Sequence, residues 1–328
     1  MKICFLDFTN FQYSLSDKYS HKLRGAETIL INLSENLKKL GHDVYVFNNC
    51  KEDIITKSNK WFNINNITEN LSFDIAITNS DIKLLNKVIA KKKYVISYSL
   101  QSLEKFIRKG QLISYFKNKP TVLLLGKYHK KKRSKLLTIF GEKIIDISID
   151  DLFLNTKLHD NIDNNLAIFT SRPDRNLNLL IDIWKNYIYP LNNNYKLMVT
   201  PSHNIIQNSN ILFRKMQNQS DLIKDLLKSR LVLLPGHKAE LFCLAAEEAR
   251  ELCIPIVTLG IGSLSERVEH GKTGLIANNN KQFSDYTLEL FKNDELWTSI
   301  KNNLKEIRGL KNWLKCTKSF LKAVNESI

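Results

Sequence analysis

Cysteine is scarce and unpaired in this chain. Its five residues, Cys4, Cys50, Cys243, Cys253 and Cys316, are odd in number and lack any C-x-x-C spacing. That excludes a disulfide framework and a zinc ribbon as organising devices and fits a reducing cytoplasm. Glycine and proline are also few, 11 and 6 in 328 residues, which excludes collagenous and low-complexity classes. No apolar run approaches the ~18–20 residues of a membrane span. Runs such as Thr121 to Leu125 are strand-sized. The opening Met1 to Leu6 meets Asp7 at once, too short for a signal-peptide core, and reads as a buried first strand. No G-x-G-x-x-G follows it, which counts against a nicotinamide dehydrogenase. Acidic residues are nearly missing from one segment: residues 83–143 hold seventeen Lys and Arg against Glu104 and Glu142, so almost all of the net +16 lies there.

What is present is the balance of a globular enzyme, 43% hydrophobic and 25% charged, at a length that suits two domains of ~150 residues. Short β-branched or aromatic runs alternate with amphipathic stretches. Ile3 to Leu6 reads as a strand, Ala26 to Leu40 as a helix, Val44 to Phe47 as a strand, then a long polar segment precedes a strand at Ile75 to Thr78. Further strands are expected at Tyr94 to Ser97, Thr121 to Leu125 and Lys143 to Ile147. Residues 151–165 lack periodicity and read as the interdomain connection. The pattern then restarts with strands at Ala167 to Thr170, Lys196 to Thr200, Arg230 to Leu234, Pro255 to Leu259 and Gly274 to Ala277. Helices are expected at Leu177 to Tyr187, Asp221 to Lys228 and Leu244 to Glu251. This βαβ order implies parallel sheets whose ligands sit at the carboxyl ends of strands, near helix N-termini.

Four segments at such places carry candidate chemistry. Arg24-Gly25-Ala26-Glu27 precedes the strongest helix and could admit a phosphate, or be a plain loop glycine. Ser171-Arg172-Pro173-Asp174-Arg175 puts two arginines on a strand-to-helix turn, suited to a diphosphate unless Asp174 neutralises them. From Pro235 to Glu248, Glu240 lies in a loop and Glu248 on a helix; both could accept bonds from vicinal hydroxyls, or one could cap and the other be solvated. Gly260 to Glu266 offers a further anion-holding turn through Gly262 and Ser263.

Read together, "FTSRPDRNLNLLIDIW", "LPGHKAELFCLAAEEARELCIPIVT" and "GIGSLSERVEHGKTGLI" resemble the nucleotide-sugar-dependent glycosyltransferases of family 4. The resemblance implies the GT-B fold: α/β, two facing Rossmann-like doubly wound domains, with a C-terminal helix crossing back to the N-terminal domain. The boundaries expected are an acceptor-side domain at 1–158, a nucleotide-sugar-binding domain at 159–311 and a returning helix at 312–328. It implies a retaining, metal-independent enzyme with no cofactor, the nucleotide sugar being substrate, and no protein nucleophile. Glu240 and Glu248 match the family's two glutamates with seven residues between them, for donor sugar and ribose respectively. Arg172 and Arg175 match its diphosphate-holding basic pair. Backbone N–H groups of Phe242, Cys243 and Leu244 would meet sugar or phosphate, and Gly25 and Ala26 the phosphates from the first domain. Three departures stand out: Arg24 where a first glycine is common, Leu252 where a glycine is usual, and no first-domain histidine, Ser97, Tyr98, Ser99 and Gln101 filling the expected region.

The expected acceptor is a glycan or a lipid-linked or lipopolysaccharide molecule. The clusters Lys91-Lys92-Lys93 and Lys130-Lys131-Lys132-Arg133 are expected to face an anionic membrane from the cytoplasm, against the alternative of a solvated surface. Two other readings stay open: a catalytically degenerate nucleotide-sugar-binding protein, and a basic nucleic-acid-binding protein. Aromatic interleaving of the early part of the basic segment is sparse, at Tyr94, Tyr98, Phe106 and Tyr115, and no known nucleic-acid motif is present, which argues against nucleic acid.

Overall fold

The computed structural model describes residues 1–18, 23, 25–55, 60–68, 71–201 and 209–325. The chain forms two compact units, 1–148 with 313–328, and 149–312.

The first unit contains strands β1 (Lys2–Leu6), β2 (Asp43–Asn48), β3 (Ile54–Ile55), β4 (Lys60–Asn63), β5 (Ser72–Asn79), β6 (Ile89–Ile96), β7 (Thr121–Leu124) and β8 (Glu142–Ile144). Its helices are α1 (Gly25–Lys39), α2 (Leu103–Arg108), α3 (Leu112–Asn118) and α4 (Lys127–Lys132). The sheet runs β3-β4-β2-β1-β5-β6-β7-β8, with β3 antiparallel to β4 and the remaining pairs parallel. Helix α1 forms because Ile29, Leu30, Leu33 and Leu37 recur at helical spacing and are all buried. It stops at Gly41, whose φ of +83° lets its N–H reach the Lys38 carbonyl while His42 N–H reaches that of Leu37.

The second unit contains α5 (Asp151–Asn155), β9 (Asp163–Phe169), α6 (Leu177–Ile183, prolonged by a π turn to Ile188), β10 (Lys196–Val199), β11 (Ile211–Phe213), α7 (Gln219–Lys228), β12 (Ser229–Gly236), α8 (Leu244–Glu251), β13 (Ile256–Ile261), α9 (Leu264–Arg267), β14 (Gly274–Ile276), α10 (Asn280–Lys292) and α11 (Asp294–Ile307). Its sheet runs β11-β10-β9-β12-β13-β14, every pair parallel. Numbered within the unit, that is the Rossmann order 3-2-1-4-5-6, so the direction of winding reverses between β9 and β12. An apolar core holds the unit together, with Phe169, Trp184, Leu231 and Phe283 among its fully buried members.

Helix α12 (Trp313–Asn325) belongs to the first unit. Trp313, Cys316, Phe320 and Val324 form its buried stripe, and it packs on α1. Tyr94 Oη donates to the Val324 carbonyl at 2.7 Å, and Lys92 Nζ to that of Asn325 at 2.9 Å. The returning helix is thus present.

Two expectations need correcting. Residues 151–165 are not a bare connection: they contain α5, which packs on α7 and α8, and the start of β9. The first boundary therefore lies at 148/149 rather than 158/159. The polar stretch after β2 also holds β3, at the sheet edge, and β4 beside it, which at two and four residues are too short to show a period.

Candidate active site

In a doubly wound sheet the crevice for a ligand opens where adjacent connections leave to opposite faces, at the carboxyl ends of the two strands concerned. In the second unit those strands are β9 and β12. The loops leaving them are residues 170–176 and 237–243, which contain the second and third candidate segments.

The two loops are held in contact. Asn176, in the left-handed conformation at φ +64°, donates through its side chain to the Gly236 carbonyl at 2.5 Å. Ser171 Oγ donates to Glu240 Oε1 at 3.3 Å, and Arg175 Nη1 lies 3.4 Å from His237 Nδ1. His237 Nδ1 also accepts from the Ala239 N–H at 3.1 Å. An arginine and a backbone amide can only donate, so this imidazole nitrogen is the acceptor and the ring's Nε2 carries the hydrogen. His237 therefore offers a donor beside Arg175.

The arginines differ. Arg172 is 70% exposed and forms a two-bond pair with Asp174, Nε to Oδ1 at 3.0 Å and Nη2 to Oδ2 at 2.7 Å. Arg175 is 15% exposed, touches Asp174 Oδ2 at 3.2 Å and is braced by His237. Arg175 is thus pre-oriented and partly desolvated, whereas Arg172 must leave Asp174 to reach an anion.

Burial pushes the Glu240 carboxyl up from its ordinary range, against the Cys243 thiol that donates to it, the positive charge of Arg175 and the Ser171 hydroxyl. Cys243 is buried, is held strongly protonated by desolvation and by the nearby Glu240 charge, and takes φ +61° at the N-cap of α8. A left-handed non-glycine residue at a loop-to-helix junction marks a backbone held in place by its surroundings. Leu244 opens the eight-residue α8, in which the Ala246 and Glu247 N–H groups reach the Cys243 carbonyl and those of Leu244 and Ala245 have no acceptor within the helix. Phe242 is buried, with the Arg267 guanidinium 4.1 Å over its ring and Arg267 Nε bonded to its carbonyl, so it supports the loop from beneath. Glu248 is half-buried one turn further along α8. Desolvation, and then the charge of Asp150, raise its carboxyl from 4.5 to about 7.

Gly262 and Ser263 have a structural task. A Cβ on Gly262 would stand 2.3 Å from the His237 carbonyl oxygen and 3.0 Å from that of Glu240. The Ser263 N–H is taken by the Glu240 carbonyl at 3.0 Å, and its side chain is fully buried. The pair clamps the 237–240 loop through these backbone contacts.

The first unit has its own polar cluster at the equivalent reversal, between β1 and β5. Buried Asp7 accepts from Tyr13 Oη at 2.6 Å, and burial raises its carboxyl to about 6. Tyr98 Oη donates to Asn79 Oδ1 at 3.3 Å, and Glu27 is buried in the first turn of α1. Gly25 and Ala26 open that helix, while Arg24 and His203 lie outside the described residues. Sequence reasoning passed over Asp7 and His237, although each is the first residue after a strand flanking the winding reversal; Tyr13 and Asn79 join the first cluster only through their contacts with Asp7 and Tyr98. In the region where a histidine was expected, Ser97 Oγ and the Ser99 carbonyl accept from Arg133 Nη1. His129, one strand later, is fully buried with Nδ1 accepting from the Leu125 N–H, a packing role.

The expected basic face needs correction as well. Arg133 is 7% exposed and faces Ser97 and Ser99 within the unit, so it faces no membrane. Lys92 is tied to the end of α12 and Lys93 Nζ to Asn118 Oδ1 at 2.7 Å. Lys91 pairs with Asp74 and Lys130 with Glu142 on the surface, and Lys131 and Lys132 are exposed.

Comparison with known proteins agrees with this geometry. Residues 163–307 match the model of the glycosyl transferases group 1 family. An uncharacterized glycosyltransferase of Methanocaldococcus jannaschii is 26% identical over 177 residues, 52% of this chain and 50% of that protein, so the match spans half the relative's length. Among solved structures, sucrose-phosphate synthase from Thermosynechococcus elongatus superposes with a TM-score of 0.73 at 12% identity, covering 98% of both chains. The Anabaena protein HepE, in complex with UDP and glucose, superposes at 0.70 with 15% identity, covering 100% of both. Two Rossmann-like units of the GT-B type make up this chain, and its residues 163–307 match the group 1 glycosyl transferases.

Proposed function

We propose that this protein is a retaining, metal-independent hexosyltransferase that moves a sugar from a nucleoside-diphosphate donor to a glycan or lipid-linked acceptor. The observation that carries the reading is the joining of the 170–176 and 237–243 loops at the winding reversal, which puts Arg175, His237 and Glu240 within one hydrogen-bonded group. The likeness to a protein holding UDP and glucose supports a nucleotide-sugar donor.

As the glycosidic bond to the diphosphate breaks, negative charge grows on the leaving oxygen and positive charge on the sugar ring. Arg175, with the Nε2–H of His237 and the amides opening α8, stabilises the first; Arg172 joins when it releases Asp174. Glu240, desolvated but flanked by Arg175, accepts from sugar hydroxyls and supports the cationic ring. Glu248, further along α8, accepts from the ribose. Positive side chains thus supply the charge that a metal supplies elsewhere. The buried group around Asp7 and Tyr98 would receive the acceptor in the first unit. The protein would work in the cytoplasm, serving polysaccharide or lipopolysaccharide synthesis.

The test is release of nucleoside diphosphate from a panel of nucleotide sugars by wild type and Glu240→Ala. Release by wild type, reduced at least about 100-fold in the variant, is the expected result. Donor binding without turnover on every donor and acceptor would replace the enzyme by a nucleotide-sugar-binding protein, and absence of binding would sink both.

A further inference from the structure

The second unit has a cavity of about 480 Å³ at the end of its sheet opposite the candidate active site. Asn164 and Arg230, near the amino ends of β9 and β12, line it from the sheet, and Trp297, Lys301 and Lys305 line it from α11. Its volume falls within the about 300–1,000 Å³ of small-molecule sites. The seven residues of β9, rising ~3.3 Å each, put roughly 20 Å between this cavity and the Ser171 loop. A ligand here shares no residue with the donor site.

Packing holds two cations in the cavity. Arg230 is 2% exposed, and its Nε donates to the Leu290 carbonyl at 2.7 Å, Nη1 to Asn164 Oδ1 at 3.0 Å and Nη2 to Asp294 Oδ1 at 2.5 Å. Three of the five N–H groups of an arginine are thereby used, and two remain for a ligand. The Arg230 guanidinium and the Lys301 ammonium lie 4.9 and 4.7 Å from the centre of the Trp297 ring, whose N–H is fixed on the Arg230 carbonyl at 2.8 Å. Lys301 pairs with Asp160 at 2.8 Å, and Lys305, one turn further along α11, is exposed and in no ion pair among the described residues.

The two acids that answer these cations stand in water, Asp294 84% and Asp160 90% exposed. Lys301, then Lys305 and His159, hold the Asp160 carboxyl below its ordinary range, so a carboxylate of the chain already feels the field that an external anion would meet. A pair with a solvated acid is worth little, and a doubly charged anion can take its place. A carboxylate ligand brings one charge and two oxygens, whereas a phosphate brings two charges and three oxygens to three cations. An organic cation fits poorly, because Arg230 and Lys301 already lie over Trp297.

We infer that this cavity binds a phosphate dianion, free or as the monoester of a small organic molecule, through Arg230, Lys301 and Lys305, with the Asp160 carboxylate as its competitor for Lys301. The inference stands independently of the sugar-transfer reading.

The experiment is calorimetric titration of the full chain at pH 8 with inorganic phosphate, glycerol 3-phosphate and ribose 5-phosphate. Saturable binding of at least one of them, retained in Arg175→Ala, is expected. Lys305→Gln, at an exposed position that leaves the fold intact, should weaken it about fivefold. Adding Lys301→Gln should weaken it at least about tenfold more, through a lost charge-assisted hydrogen bond. Asp160→Asn should tighten it about threefold by removing the competing carboxylate. Inorganic phosphate binding as tightly as the esters assigns the site to free phosphate, and tighter ester binding assigns it to a monoester. Nucleoside diphosphate release without added phosphate should be the same in the lysine variants as in wild type, which separates failure here from failure of the sugar-transfer reading. The inference is overturned if none of the three probes binds, if binding is lost in Arg175→Ala and kept in the double lysine variant, or if Asp160→Asn binds more weakly than wild type.

Discussion

Glu248 gives the sharpest test of the site, because the structure assigns it an electrostatic cost that a ligand-binding role would explain. Its carboxyl rises from 4.5 to about 7 through desolvation and through Asp150. The full difference corresponds to about 3 kcal/mol, and partial exposure reduces it to roughly 2 kcal/mol. The folded protein holds the protonated form more readily than the unfolded chain does. Wild-type stability from this group is therefore complete below pH 4.5 and is lost as pH rises through about 7. Glu248→Gln keeps shape and hydrogen bonding but cannot ionise. It should match wild type at pH 4 and melt roughly 4–8 °C higher at pH 8. The same variant should bind nucleoside diphosphate about 10- to 100-fold more weakly, having lost a charged acceptor for the ribose. Thermal melts at several pH values, with calorimetric titration of the nucleotide, measure both. A melting difference that does not vary with pH, or a variant less stable at pH 8, would refute the electrostatic argument; unchanged nucleotide affinity would remove Glu248 from the site.

Two further outcomes follow from the geometry. Arg175→Ala should lower donor turnover about 100-fold and Arg172→Ala about tenfold, because only Arg175 is pre-oriented and partly desolvated; Arg175→Lys should not restore activity, since a lysine lacks the planar fork. Steady-state kinetics on the donor identified above would show the order, and a reversal would invert the assignment. Gly262→Ala should destabilise by roughly 3 kcal/mol or more, combining left-handed strain with the 2.3 Å approach to the His237 carbonyl. Gly271→Ala, at φ +78° with open space around it, carries only the strain of about 1–2 kcal/mol. Denaturant melts of the two variants separate these effects, and equal losses would show that the clamp under the Glu240 loop is not rigid.

Element type was legible where local pattern was strong. Helix α1, with its Leu and Ile stripe and its glycine stop, and β1, β7, β10 and α8 fall within a residue or two of expectation, because side-chain period and caps are local properties of the chain. Strands β3, β4 and β11 were not legible: with two to four residues each, they are defined by the neighbour they pair with. The motif around Glu240 and Glu248 was legible as a spacing, but His237 was not, since its partner Arg175 lies 62 positions away in the chain. Charge was legible as an inventory and misleading as a surface: Arg133 reads like its lysine neighbours yet is buried against Ser97 and Ser99.

The sequence by itself therefore determined the alternation of strands and helices, the parallel sheets, and the loops that could carry phosphate and sugar chemistry. These rest on periodicity and residue chemistry within a few positions. Only the tertiary structure decided which loops meet. The order 3-2-1-4-5-6 in the second unit sets β9 beside β12, and that pairing, an outcome of contacts distant in the chain, brings Arg175 to His237 and Ser171 to Glu240.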